Sequence, residues 1–87
     1  MGYKYEPLEL YLSALSPSTK SVALSFHEIE HILGAPLPKS ATTFRAWWGN
    51  QTDTLNRPQV RAWMNAGFLV ESVHQDGLEP FVDFRRK

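Results

Sequence analysis

Apolar residues recur along this chain with two different periods. Leu8, Tyr11, Leu12 and Leu15 fall at i, i+3, i+4 and i+7, the stripe of one helix face, and Pro7 stands near the helix start, where a missing N–H costs nothing. SPSTK breaks that helix, and KSVAL, short and partly β-branched, predicts a brief strand. In LSFHEIEHILG, Phe26, Ile29, Ile32 and Leu33 form the next helical stripe. Ser25 and Glu28 have the spacing of a capping box, Leu24 and Ile29 that of a hydrophobic staple. Gly34 is a natural helix end, and Pro36 and Pro38 prevent resumption.

A short helix can open at Pro38, ahead of FRAWWGN, which is aromatic and β-prone, and GNQTDTLN, a polar loop. RPQVRAWMNAG reads as a helix with Val60, Trp63 and Met64 on one side and Gly67 as its stop, and Asn56 with Gln59 resembles a second capping box. FLVESVH and EPFVDFR are β-rich, and Asp76-Gly77 between them is a turn signal, so they predict an antiparallel hairpin. The expected fold is α+β: three main helices with a short strand and a C-terminal β-hairpin. That order is winged-helix-like, although the connection from Gly34 to Asn56 far exceeds the 3–4-residue turn of a DNA-binding helix-turn-helix.

Length and composition narrow the function classes. Eighty-seven residues, 43% of them hydrophobic, make a single domain over residues 1–87 with its core at about 5–84. Nine basic residues balance nine acidic ones, which is not the strongly basic composition of a typical nucleic-acid binder. There is no cysteine, in keeping with a reducing, cytoplasmic setting. The first ten residues do not read as a signal peptide, and no apolar stretch approaches the ~20 residues that span a bilayer, so no membrane partner is expected.

HEIEHILG carries the one reaction motif in the chain. His27, Glu28 and His31 fit H-E-x-x-H, in which two histidines hold zinc and the glutamate acts as base. A catalytic zinc needs a third protein ligand. The extended motif would place a histidine at position 37, which is Leu37, and the remaining histidine, His74, lies in the predicted hairpin. On a helical wheel His27 and His31 point away from the buried stripe. The expectation is a solvated helix face, with no metal, no cofactor and no catalysis. No glycine-rich phosphate loop and no nucleophile elbow is present either.

Binding chemistry concentrates in the middle of the chain. Residues 39–65 hold Lys39, Arg45, Arg57 and Arg61 against Asp53, whereas residues 1–38 hold Lys4 and Lys20 against Glu6, Glu9, Glu28 and Glu30. Arg57, Arg61 and Asn65, spaced by four, share one helix face. Trp47 and Trp48 cannot both face inward from an extended strand, though both can be partly buried from a helix. The leading expectation is a non-catalytic nucleic-acid-binding module with Arg45, Trp48, Arg57, Arg61 and Asn65 as contacts: arginines on phosphates, an indole stacked on a base, Asn65 at a base edge. The alternative is a protein-interaction or homodimerisation module using the Trp47/Trp48 segment and an edge of the hairpin.

Five segments together carry a resemblance: Y-x-P-L-x-x-Y-L (Tyr5 to Leu12), L-S-F-x-E-I-E-x-I-L-G (Leu24 to Gly34), L-P-x-S-A (Leu37 to Ala41), W-W-x-N (Trp47 to Asn50) and A-W-x-x-A-G-F-x-V (Ala62 to Val70). The chain resembles a small bacterial and archaeal domain family of unknown function, over Tyr5 to about Phe84. The resemblance implies no activity. It does imply that positions 27 and 31 are free, whereas Glu28 and Glu30 belong to the pattern. The wheel and the capping box account for Glu28 and leave Glu30 without a role.

Overall fold

The computed structural model describes residues 2–50 and 57–87. The chain runs α1 (Glu6–Ser13), β1 (Ser21–Ser25), α2 (Phe26–Leu33), α3 (Lys39–Thr43), a 3-10 turn (Arg45–Trp48), α4 (Pro58–Asn65), β2 (Phe68–His74) and β3 (Phe81–Arg86). The three strands form one antiparallel sheet in the order β1-β3-β2. The α+β expectation holds, including the brief strand before the second helix and the C-terminal hairpin.

Alternation along the strands separates the two faces of the sheet. Val22, Phe84 and Val70 lie in register on one face, followed by Leu24, Val82 and Val73. All but Val22 are buried, and Val22 packs against the core from its rim. The helices cover this face: Leu8 and Leu12 from α1, Ile29 from α2, and Val60 and Trp63 from α4 are buried in the same cluster. Ala23, Asp83 and Ser72 lie in register on the opposite, polar face, and β2 carries an irregularity between Val70 and Ser72.

α2 follows its local signals closely. The Ser25 hydroxyl accepts from the Glu28 amide at 2.9 Å, and Glu28 Oε1 accepts from the Ser25 amide at 2.8 Å. The helix stops at Gly34, whose φ of 72° favours a residue without Cβ. Glu30 acts beyond its own helix. Its Oε2 accepts the Leu37 N–H at 2.8 Å, while its carbonyl accepts from Gly34 and Ala35. Glu30 thus ties the turn after α2 back onto the helix and places Leu37, 8% exposed, in the core.

Two local expectations are corrected. Tyr11 is 38% exposed, so only Leu8 and Leu12 of the α1 stripe are fully inside, with Leu15 at the core's edge. FRAWWGN is not a strand: Arg45–Trp48 form a 3-10 turn, which lets both indoles point inward, Trp48 fully and Trp47 partly. The Gln59 side chain donates to the Trp47 carbonyl at 3.1 Å, an anchor for the aromatic turn. Asn56, its expected capping partner, lies outside the described residues, as does most of the predicted polar loop. α2 and α4 are separated by α3 and the 3-10 turn, so they are not consecutive helices on a tight turn.

Candidate interaction surface

Four of the five predicted contact residues hold the domain together. Trp48 is 2% exposed. It stacks between Phe26 at 5.3 Å and Trp63 at 5.8 Å, and its Nε1–H donates to the Ala41 carbonyl at 2.8 Å. No face of this indole is left for a base, which corrects its assignment as a stacking platform. Arg45 Nη1 donates to the Val73 carbonyl and Arg57 Nη1 to the Ala46 carbonyl, each at 3.1 Å. The Arg61 guanidinium lies 4.4 Å over the Tyr3 ring. Asn65, at the exposed end of α4, makes no side-chain hydrogen bond among the described residues. Aromatics and arginines in one stretch resemble a nucleic-acid surface in sequence, yet indoles packed in a core with arginines sealing the carbonyls around it give the same composition.

Tyr3 links the N-terminus to α1 and α4, since its hydroxyl donates to Glu9 beneath the Arg61 guanidinium. Burial, the hydrogen bond to Glu9 and the charge of Glu9 all push the Tyr3 hydroxyl well above its ordinary range, against a smaller opposing effect of Arg61. Burial also raises Tyr5. Both tyrosines therefore keep their protons in the folded state at pH values where the unfolded chain loses them. Their contribution to stability is complete below the unfolded tyrosine value of about 10 and declines as pH rises above it. Urea midpoints measured from pH 8 to 11 should be flat at first and then fall. Tyr3→Phe should lower stability at pH 8 by about 1 kcal/mol and flatten the alkaline fall.

The two outer strands of the sheet differ sharply. Along β2, side chains of the domain take three of the groups that point away from β3. Asn50 Nδ2 donates to the Val70 carbonyl and Asn50 Oδ1 accepts the Val70 N–H, both at 2.8 Å, so one amide side chain imitates a neighbouring strand. The same Oδ1 accepts the Trp63 indole N–H at 3.0 Å. Arg45 covers the Val73 carbonyl next along the edge.

β1 has no such cover. Arg86 N donates to the Lys20 carbonyl and Phe26 N to the Pro80 carbonyl, which fixes the even-numbered residues of β1 as those bonded to β3. The odd-numbered residues point their backbone groups outward. The Ser25 N–H is capped by Glu28. The N–H and C=O of Ser21 and Ala23 have no partner among the described residues. Next to this edge lies a cleft of about 270 Å³ lined by Tyr11, Leu24, His27, Glu28, His31 and Ile32.

His27 and His31 are exposed, as the wheel indicates, and they flank this cleft. Among the described residues no three histidine, cysteine, aspartate or glutamate side chains come together as a metal site. No helix among the described residues is long and apolar enough to cross a membrane.

Comparison with known families adds one finding. Residues 5–83 match the family model described as Domain of unknown function (DUF7662). The chain belongs to DUF7662. The match spans nearly the same stretch as the resemblance drawn from the motifs. No curated protein and no solved structure matches this DUF7662 chain. The β1 edge could not be found from sequence, because SVALS gives no sign of which strand lies outermost. Asn50 had a signal in W-W-x-N, although nothing there pointed to Val70.

Proposed function

We propose that this domain is a non-catalytic protein-interaction module that takes an extended partner segment along β1. One contrast carries the reading: side chains of the domain cover both outward groups of Val70 and the carbonyl of Val73 in the middle of β2, whereas Ser21 and Ala23 hold theirs open beside a cleft. Strand addition uses such an edge for affinity and an adjoining pocket for specificity. Tyr11, Leu24 and Ile32 make the cleft apolar, and Glu28 with the two histidines gives it a polar rim. This moves the interaction site from the hairpin edge and the tryptophans to β1. A cytoplasmic location is the setting we propose, on the lack of cysteine.

Selection from a random displayed peptide library tests this reading, with Ala23→Pro as the counter-screen. The Ala23 N–H faces away from β3, so proline there removes the edge donor and leaves the ladder to β3 intact. Enriched peptides should bind the wild-type domain and lose about tenfold or more on Ala23→Pro. Peptides that bind both equally, or no enrichment at all, would overturn it.

Nucleic-acid binding is the second reading, and Arg61 and Asn65 favour it. Both are exposed on α4, which precedes the hairpin in the element order of a winged helix. Arg45, Trp48 and Arg57 are engaged elsewhere, so this surface has few charges to offer. Fluorescence polarisation with labelled duplex and single-stranded DNA decides. Affinity weaker than about 0.1 mM at low salt would retire the reading.

A further inference from the structure

We propose that the strand received by β1 is β1 of a second copy of this chain, paired antiparallel about a two-fold axis at Val22. The inference rests on the reading of β1 as an open edge and names its occupant.

Each copy offers four outward groups, the N–H and C=O of Ser21 and of Ala23. Set antiparallel with Ser21 opposite the partner's Ala23, the two strands exchange both bonds at each of two positions. All four groups on each copy are then satisfied, and the contact is the self-complementary kind that a two-fold axis requires. The side chains of Ser21 and Ala23 are small and leave the open face of the sheet unobstructed.

The same register settles what enters the cleft. Even-numbered residues of β1 share the helix-covered face. In this pairing Val22 meets the partner's Val22, and Lys20 stands directly opposite the partner's Leu24. Leu24 is one wall of the cleft, and Glu28 is another. Glu28 Oε1 is held by the Ser25 N–H, which leaves its second oxygen available to a cation. A lysine suits this apolar cleft with one acidic wall: its methylenes lie along Leu24 while its ammonium reaches the carboxylate. Lys20 is exposed, and the two-fold axis makes the pair twice. A contact of this length is smaller than a standard stable interface of about 1,600 Å², so the dimer is concentration-dependent.

Sedimentation and light scattering across a concentration series provide the test. The mass should rise from 10.0 kDa toward twice that value. Amide exchange at Ser21 and Ala23 should slow as concentration rises. Ala23→Pro should stay monomeric with an unchanged circular dichroism spectrum. Should that variant fail to fold, Lys20→Glu serves instead, an exposed change expected to weaken the dimer roughly tenfold through its two ion pairs. A wild-type chain that stays monomeric up to about 1 mM overturns the dimer, and so does a dimer indifferent to both substitutions. A monomer that still captures library peptides in an Ala23-dependent way would overturn this inference alone and leave the edge reading standing.

Discussion

Trp48→Ala should leave the domain largely unfolded at 25 °C. Trp48 is 2% exposed, stacked between Phe26 and Trp63 and met edge-on by Trp47 at 4.6 Å. Truncating a buried tryptophan costs about 3–5 kcal/mol, because the removed contacts and the remaining cavity add. A domain this small has a net stability on the order of 5 kcal/mol, so little margin remains. The indole N–H bond to Ala41 is lost too, although Gln75 Nε2 still donates to that carbonyl at 3.0 Å. Circular dichroism and urea denaturation measure the effect. A urea midpoint equal to wild type would mean that Trp48 is not a core residue, and would restore it as a candidate for base stacking.

The second large effect falls on a residue that is itself exposed. Asn50→Ala should cost about 2–4 kcal/mol, far more than an ordinary surface change. Its Oδ1 is the acceptor for the indole N–H of Trp63, which is 0% exposed, so the truncation leaves a buried donor unsatisfied. The two bonds to Val70 are lost as well, though water can reach an outer strand and soften that part. Asn50→Asp separates the contributions. It keeps the acceptor for Trp63 and the Val70 N–H but sets a carboxylate oxygen against the Val70 carbonyl where the donor was, so it should recover only part of the loss. Chemical denaturation of the two variants beside wild type gives the comparison. Equal losses in both would place the weight on the donor instead.

These residues also mark what could be read from sequence. α2 was legible almost atom by atom, because a capping box and a glycine stop act within a few residues of chain. Gly67, at φ 87°, ends α4 as its position after Asn65 suggested. The hairpin was legible from its alternation and its Asp-Gly turn. What distant residues decide was not. Arg45 reaches a carbonyl on β2, and Asn50 bonds to Val70 and Trp63. Composition alone cannot tell an arginine that will meet a phosphate from one that will meet a carbonyl of its own chain. Glu30 shows the same limit at shorter range: its partner, the Leu37 amide, lies past the helix end, where a helical wheel carries no information. The openness of β1 depends on the order β1-β3-β2, which only the pairing of all three strands reveals.

A sheet with one obstructed edge and one open edge has a polarity of growth. Chains that expose two edges can add neighbours on both sides and extend into fibres. Here Asn50 and Arg45 obstruct the middle of the β2 edge at Val70 and Val73, so strand addition at β1 is expected to terminate after one step. The stoichiometry is one added strand per domain, whatever its source, and the product is a closed, saturable complex. A variant that lost Asn50 while staying folded would expose the second edge as well. Its hazard would then be open-ended polymerisation, a failure distinct from loss of stability and visible as turbidity in concentrated solution.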